Sequence, residues 1–556
     1  MKNINVFPIV LVCIGHAVLA QTPPNAGSIS RDALSTLPAL PPSKATLPQE
    51  GVAQPSTAQS TDTTPIAVKS ISITGATLFT ADELQALVAD VASGSHTLSE
   101  LQAAASRITA HYRQAGYLLA RAYLPAQSVK EGAITINVIE GRIASRRVNN
   151  ESRLSDAVAS AYLGNIKDGE VVQSSQIDRS VLLLQDTPGV SSSRATLQPG
   201  ASVGTSELLV EVKGADAVAG NVVLDNYGSR YTGVLRMSAA LSIASPFKMG
   251  DQINVDVMGS EANLSFARVA YQVPLGSDGL RAGAAYMDTR YTLGKEYAAL
   301  QAHGVASSTT VFAAYPFIRT KLHNLNGTVS YESKGLTDYV DSTATVTDKS
   351  VNITSLALAG NLQDGWGGGG ANHFDMTLAL GQLRINSPAA QAIDAAAAQT
   401  NGTYSRLSYS ASRQQRLTAD TTLLLAVNGQ QASKNLDSSE KFVLGGINGV
   451  RAYPQGEASG DEGYKATLEL RYNLMANLQG AVFYDMGEIA VNKAPFAVAA
   501  SNNRSLSGAG IGLQGSVGRV QLKASVAWRT DGGTVVSIPA SAAQMPTVWV
   551  QGVVGF

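Results

Sequence analysis

One arginine and one aspartate make up the site that the sequence suggests. Arg451 lies among small and apolar residues in a long polar-flanked loop, and Asp485 lies in the run Phe-Tyr-Asp-Met-Gly at 483–487. Strand alternation would put Phe483, Asp485 and Gly487 on one face. An aspartate that points into an enclosed space is costly without a partner, and an inward-folded arginine could offer it two hydrogen bonds. The spacing equally allows an exposed Arg451 and an Asp485 that is solvated by water.

Motifs that would indicate an enzyme occur in the wrong context. The segment 200–204 has the Gly-x-Ser-x-Gly spacing of a nucleophile elbow, but it lies between two predicted strands and not at a strand-to-helix turn. The segment 510–515 has the Gly-x-Gly-x-x-Gly spacing of a dinucleotide fold, but another predicted strand follows it. The six histidines show no metal-ligand spacing. We therefore predict no enzyme activity, no cofactor and no bound metal.

Composition and hydropathy argue against two further classes, nucleic-acid-binding proteins and helical membrane proteins. The chain of 556 residues has 41 basic and 42 acidic residues, a net charge of -1, and 44% hydrophobic residues. A nucleic-acid partner is not expected, because it would require a basic face. Beyond the N-terminus no apolar run reaches the roughly 18 to 20 residues of a spanning helix. A closed membrane barrel fits, because its alternating strands average to neutral hydropathy.

The N-terminal region has the pattern of an export signal followed by a linker. Residues 1–20 combine Lys2, an apolar stretch and small residues of the kind found at a signal-peptide cleavage site. This pattern predicts a secretory signal peptide. Residues 21–66 are rich in Pro, Ser and Thr, so we expect an extended linker. Within it, residues 30–37 could form at most two turns of helix. The one cysteine, Cys13, lies in the signal, so the mature chain would have no thiol.

Two similar α+β units follow the linker. In the first, a strand at 68–73 precedes two helices whose starts, Thr80 with Glu83 and Thr97 with Glu100, fit the capping box. Two further strands complete the order strand, helix, helix, strand, strand. The same order recurs from 146 to 212, which predicts a tandem repeat. We place the units at 67–143 and 144–213.

From residue 214 to residue 556, alternation with a period of two replaces the helical signals. We count sixteen strand-like runs, joined alternately by tight turns and long loops. One face of each run is apolar and the other is polar, and in a membrane barrel these faces would meet lipid and lumen. The even count and the alternating connections predict a 16-stranded antiparallel transmembrane β-barrel. Its surroundings would be the lipid bilayer of a bacterial outer membrane.

Several motifs occur together in this chain, namely Glu140 to Ile143, Leu182 to Gly189, Leu224 to Ser229 with Thr232-Gly233, Pro246-Phe247 before Gly250-Asp251, Val450 to Tyr453, and Phe483-x-Asp485-x-Gly487. In combination they resemble the outer-membrane transporters of two-partner secretion systems. The resemblance is to the haemolysin-activator and filamentous-haemagglutinin transporter type, within the superfamily of outer-membrane assembly barrels, and it extends from Val68 to Phe556. The terminal Phe556, on an apolar strand face, resembles the insertion signal of bacterial outer-membrane barrels.

The resemblance implies an arrangement and a function. The two α+β units would be periplasmic polypeptide-transport-associated (POTRA) domains that feed the barrel. The sixth surface loop would fold into the lumen with Val450, Arg451 and Tyr453 at its tip, and Phe483, Asp485 and Gly487 would form its partner motif on the barrel wall. The pore would secrete a large unfolded exoprotein, an adhesin, haemolysin or contact-dependent toxin, that it recognises by an N-terminal secretion segment. The outer-membrane assembly machinery would be a partner during biogenesis.

This sequence departs from the family pattern in two places. Ala452 stands where the family usually has Gly, and its methyl group would shift the loop tip if the backbone there needed a positive φ. The linker lacks the long helix that plugs the pore in some relatives, so any plug would be the short segment 30–37.

Two other functions remain open from the sequence. The first is a general factor that assembles and inserts other outer-membrane proteins, although such factors typically carry more POTRA repeats. The second is a passive porin, which would have no periplasmic domains.

Overall fold

The computed structural model describes residues 23–36, 64–129, 131–496, 501–531, 535–537 and 546–556. The predicted signal peptide and most of the predicted linker lie outside these ranges. None of the helices in the described residues combines the length and apolar composition that crossing a bilayer requires. The helices are α1 (Ala26–Ser35), α2 (Ala81–Ala86), α3 (Leu98–Gln114), α4 (Asp156–Ala161), α5 (Ser174–Gln185) and α6 (Pro388–Ala396).

Two small α+β units precede the barrel, and both have the predicted order of elements. Each contains a three-stranded sheet in which the middle strand pairs parallel with one neighbour and antiparallel with the other. The strands of the first unit are β1 (Ile66–Val68), β2 (Ser70–Thr74), β3 (Gly94–His96), β4 (Arg121–Tyr123) and β5 (Ala133–Ile139). Those of the second are β6 (Arg142–Glu151), β7 (Val190–Pro199) and β8 (Thr205–Gly214).

Helix α3 shows how the sequence sets up the core of the first unit. The Thr97 hydroxyl accepts a hydrogen bond from the Glu100 backbone N–H, and the Glu100 carboxylate accepts one from the Thr97 N–H. This capping box satisfies donors that the first turn leaves free. The apolar residues that recur at helical spacing then form the buried face. That face consists of Leu101, Ala104, Ala105, Ile108 and Tyr112.

Glu140 lies at the end of the first unit and holds its elements together. Its carboxylate accepts hydrogen bonds from the backbone N–H groups of Thr77 (2.6 Å) and Leu78 (2.8 Å), from the Thr77 hydroxyl and from the Tyr112 hydroxyl (3.0 Å). Gly141 follows at φ +75°, with the backbone of Leu119 pressed against the place of a side chain. The next strand, β6, begins directly after Gly141, so the expected boundary at 143 falls inside the second unit.

The barrel closes with sixteen antiparallel strands, as predicted. The remaining strands are β9 (Val218–Asp225), β10 (Arg236–Ala244), β11 (Gln252–Ser260), β12 (Leu264–Pro274), β13 (Arg281–Thr292), β14 (Ala302–Arg319), β15 (His323–Val340), β16 (Thr345–Asp364), β17 (Gly370–Ile385), β18 (Gly402–Arg416), β19 (Thr421–Ala432), β20 (Phe442–Val443), β21 (Ser459–Gly460), β22 (Glu462–Met475), β23 (Leu478–Ala490), β24 (Asn503–Val517), β25 (Val520–Arg529) and β26 (Thr547–Gly555). Strands β20 and β21 form a separate hairpin inside one loop.

The first and last strands of the barrel close it over a short ladder. Strand β26 pairs with β9 from Gln551 to Gly555, and the Phe556 N–H donates to the Gly220 carbonyl at 3.0 Å. Beyond the ladder, the Asn226 side chain accepts from the Val550 N–H and donates to the Val548 carbonyl, each at 2.8 Å. An asparagine side chain therefore extends the closing pair of strands where the backbone of β9 has ended.

Protonation of Glu140 should destabilise the first α+β unit. Burial raises the pKa of this carboxyl, but the hydrogen bonds from Thr77, Leu78 and Tyr112 outweigh it and leave the pKa below the ordinary value of 4.5. A group with a lowered pKa stabilises the fold above its ordinary value and loses that effect as the pH falls through the folded value. We expect amide exchange in α3, corrected for intrinsic pH dependence, to accelerate between pH 5 and pH 3.

The substitution Glu140→Gln should cost about 1 to 3 kcal/mol at neutral pH, because the amide cannot accept all of these hydrogen bonds. The matched control is Glu83→Gln, since Glu83 is half exposed and contacts only His111 through its carboxylate. Equal exchange rates in the two variants would contradict this role of Glu140.

Candidate functional site

The loop between β19 and β22, residues 433–461, folds into the barrel lumen and is called loop 6 here. Its tip is packed tightly, since Val450 and Tyr453 are fully buried. Two glycines allow the fold of the tip. Gly446 has φ +114°, and a Cβ on Gly449 would overlap the Leu444 carbonyl oxygen. The tip is therefore a defined structure and not a mobile surface loop.

Arg451 at this tip binds the barrel wall through a buried ion-pair cluster. Its Nε and Nη2 donate to the two carboxylate oxygens of Asp485 at 2.7 and 2.9 Å, and its backbone N–H donates to the same carboxylate at 3.2 Å. Its Nη1 donates to Glu469 at 2.7 Å. Asp485 is fully buried and also accepts from the Thr467 hydroxyl at 2.9 Å. Of the two arrangements that the sequence allowed, the structure has the inward-folded one.

Each residue of the partner motif on β23 makes a different contribution to the contact with loop 6. The Phe483 ring lies under the Arg451 guanidinium, with 3.4 Å between Cζ and the ring centroid, which is a cation–π contact. Gly487 leaves room for Leu444 of loop 6, because a Cβ would lie 2.5 Å from the Leu444 Cδ1. The alternate residues Val482, Tyr484 and Met486 face outward, as expected.

Ala452 does not disturb the tip. It is not among the residues with positive φ, so the methyl group brings no backbone strain. The methyl group packs on β24 at Gly508, where a Cβ would overlap it. The Ala452 carbonyl accepts from the Thr547 hydroxyl at 2.8 Å. The usual glycine is therefore not required for the Arg451 contact in this chain.

Sequence reasoning missed several members of the cluster. Glu469 accepts from both Arg451 and Arg471, the latter at 2.6 Å, and the Trp549 indole N–H donates to the Arg451 carbonyl at 2.8 Å. The alternation of β22 already indicated that Glu469 and Arg471 face the lumen. Their partner could not be deduced, because loop 6 reaches them only through the tertiary fold. Tyr453 also binds a distant residue, Asp531.

A short helix also lies in the lumen. The sequence indicated at most two turns at 30–37 within an extended linker, whereas α1 runs from Ala26 to Ser35. The Asn25 side chain caps it by accepting from the Ser28 N–H at 3.1 Å, a signal that the low helix propensity of Gly27 and the serines obscured. The linker is therefore not extended throughout.

The end of α5 fixes the second α+β unit to the rim of the barrel that lies beside this unit. The Asp186 carboxylate accepts two hydrogen bonds from Arg319, at 2.6 and 2.8 Å, and its backbone carbonyl accepts from Arg281 at 2.6 Å. Gly250 of a barrel turn lets Thr187 approach, because a Cβ there would overlap the Thr187 methyl. Below this joint lies a cavity of about 700 Å³ that borders the barrel opening.

Loss of the Asp186 carboxylate charge should loosen this joint. We expect Asp186→Asn to broaden the distance distribution between spin labels on α5 and the barrel rim, because the neutral amide loses the ion pair with Arg319 and can accept only one of its two hydrogen bonds. The native chain has no cysteine outside residue 13. Asp168→Asn is the matched control, since Asp168 pairs with Arg146 within the second unit. Identical distributions in both variants would show that packing alone holds the joint.

The described residues contain no group of three or more His, Cys, Asp or Glu side chains that could hold a metal ion. The buried carboxylates of the barrel wall at Asp485 and Glu469 instead pair with Arg451 of loop 6.

Comparison with known families gives two matches. Residues 204–515 match the family described as haemolysin secretion/activation protein ShlB/FhaC/HecB, and residues 66–141 match the POTRA domain of ShlB type. The chain is 28% identical over 458 residues to the heme/hemopexin transporter protein HuxB of Haemophilus influenzae, which covers 80% of each chain. It is 22% identical over 480 residues to the outer membrane transporter CdiB of Dickeya dadantii, covering 83% of this chain and 82% of that protein.

Solved structures share the fold. CdiB from Escherichia coli superposes with a TM-score of 0.69 at 20% identity and covers 95% of both chains. CdiB from Acinetobacter baumannii gives a TM-score of 0.62 at 17% identity and covers 92% of this chain and 95% of that one. The arrangement of two α+β units before a closed barrel is therefore shared with these transporters.

Proposed function

This chain belongs to the haemolysin secretion/activation family ShlB/FhaC/HecB, and on that premise we propose how it moves a partner protein across the outer membrane. The barrel lies in the outer membrane, and the two α+β units are periplasmic POTRA domains. The function is secretion of a large unfolded exoprotein. The proposal concerns the order of contacts that the exoprotein makes.

The first contact is with the POTRA domains. Each three-stranded sheet has edge strands, and an extended segment can add to such an edge through backbone hydrogen bonds with little demand on its sequence. The edges are β2 and β4 in the first domain and β6 and β7 in the second. The N-terminal segment of the exoprotein binds here. The cavity beside Asp186 then leads from the second domain to the barrel opening.

The second step is opening of the lumen. Loop 6 and α1 both occupy it, and they contact each other through Arg31, whose Nη1 donates to the carbonyls of Ser438 (2.7 Å) and Lys441 (2.8 Å). The partner chain cannot pass until both have shifted. The buried Arg451 cluster is the observation that carries this proposal, because it holds loop 6 inside by a small number of bonds to the wall. Folding of the exoprotein outside the cell supplies the drive.

The cargo belongs to the class of large secreted exoproteins. It is an adhesin, a haemolysin or a contact-dependent toxin, since these are the cargo classes of the two-partner systems that the sequence resembles. The outer-membrane assembly machinery inserts the barrel, and Phe556 at the end of the closing strand is the insertion signal.

Replacing Arg451 should impair secretion while leaving the barrel inserted. One loop contact is small beside sixteen paired strands, so Arg451→Ala protein should keep the heat-modifiable mobility of a folded barrel. We expect secreted exoprotein to fall at least tenfold, and Arg451→Lys to rescue little, because lysine cannot make the bidentate contact. The control is Arg290→Ala, since Arg290 is largely exposed on β13. Absence of the Arg451→Ala barrel from the membrane would assign the residue to assembly instead.

Deletion of the gene should remove one large protein from the culture supernatant and leave the outer-membrane barrels unchanged. Because a dedicated pore acts on one partner, the comparison also identifies the cargo. A parallel fall in many outer-membrane proteins would instead show a general assembly factor. An unchanged supernatant together with high steady conductance of the purified protein would show a passive porin.

A further inference from the structure

The far half of the lumen, where the long loops leave the barrel, has an apolar lining around α1. Barrel lumens are ordinarily polar. Here buried apolar side chains converge from β11 to β17, among them Met258, Phe266, Met287, Leu336, Ile353 and Leu383. Helix α1 packs into them with Ala26, Ile29 and Ala33, which lie on one face at spacings of three and four residues. We call this site the α1 seat.

The α1 seat also has charged groups at its two ends that complement the dipole of a helix. At the N-terminal end of α1, the Ala26 N–H donates to the Asp338 carboxylate at 2.7 Å, and the Tyr291 hydroxyl holds that carboxylate at 2.6 Å. At the C-terminal end, Arg236 donates to the Thr36 hydroxyl at 2.7 Å. A negative group at the start of a helix and a positive group at its end both stabilise the helix dipole. The seat is therefore built for a helix in one direction.

The cation at the C-terminal end is itself incompletely paired. Arg236 is 4% exposed and binds Asp225 at 2.9 Å, yet its buried Nη2 has no hydrogen-bond partner among the residues that the structure describes. A buried guanidinium nitrogen without an acceptor is costly. An occupant with a further acceptor at this end of the seat would satisfy this nitrogen.

The contacts between α1 and loop 6 require few particular side chains on α1. Arg31 is held by two backbone carbonyls, and the Asn448 side chain donates to the Ser35 carbonyl at 2.7 Å. Gly27 packs on Ser438 and Ser439, with 2.9 Å from the place of a Cβ to each. An occupant therefore needs an apolar stripe, one residue without a side chain near its start and one cation.

We propose that the α1 seat is a binding site for a short amphipathic helix, and that a helical segment of the secreted partner with the same pattern occupies it once α1 has left. This inference rests on the proposed function, because the exoprotein is the polypeptide that passes through the lumen during secretion. An empty seat would expose the apolar lining to water and leave Asp338 and Arg236 without their helix. A passing amphipathic segment removes both costs.

The test uses the full chain with the seat emptied in place. Ile29→Asp puts a charge into the apolar face of α1 and should raise the single-channel conductance in planar bilayers. A synthetic peptide of residues 23–36 should then restore the low conductance. A second peptide keeps the apolar stripe, the glycine and the arginine at the same spacing but changes every other residue to Ala, Ser or Gln. We expect it to block within about threefold of the first, whereas a scrambled peptide should not block.

A receptor variant checks the polarity of the seat. Asp338→Asn, combined with Ile29→Asp, should weaken the block by both active peptides about fivefold, the size of a typical helix-dipole contribution. Asp341→Asn is the matched control, since Asp341 lies three residues away with its side chain half exposed.

Three results would overturn the proposal. Block by the native peptide alone would show that the seat is specific to α1. No block by any peptide would show that α1 stays in place only because it is tethered. Equal block in the Asp338→Asn and Asp341→Asn variants would show that the seat does not recognise the direction of the bound helix. Failure of the secretion function would be visible separately, as an unchanged supernatant after gene deletion.

Discussion

The buried contact between Arg451 and Asp485 is the interaction on which the arrangement of the lumen depends. A fully buried carboxylate on a barrel wall is strongly unfavourable alone, and a buried charge is tolerated only when paired and hydrogen-bonded. Asp485 therefore requires a cation, and loop 6 supplies one with a bidentate geometry and a cation–π contact on Phe483. The loop is therefore held in the lumen by a residue of the barrel wall.

Close approach of loop 6 to the wall is possible only where the wall lacks side chains. Gly487 and Gly508 lie on neighbouring strands, and a Cβ on each would collide with Leu444 and Ala452 of loop 6, respectively. Gly510 leaves room in the same way for the Phe483 ring of the wall, on which Arg451 lies. The strands thus provide a recess, and the apolar tip residues fill it. Packing and the ion pair depend on each other, because the recess excludes the water that would otherwise compete for Asp485.

Helix α1 and the second POTRA domain are held to the barrel by different sets of interactions. The POTRA joint uses charge-assisted bonds from Arg319 and Arg281 to Asp186, which are strong and directional. Helix α1 combines burial of a narrow apolar stripe with charge-assisted bonds, which its first N–H makes to Asp338 and its Arg31 makes to carbonyls of loop 6.

The sequence by itself determined the elements: the sixteen alternating strands, the repeated α+β units and the lumen-facing side of Phe483, Asp485 and Gly487. These follow from hydrophobic periodicity, capping boxes and turn residues, which act over a few positions. Only the tertiary structure decided that Glu469 and Trp549 join Arg451, that Ala452 fits on Gly508, and that α1 lies in the lumen. Those contacts join residues far apart in the chain, where burial and close packing override local propensity, so no local pattern could reveal them.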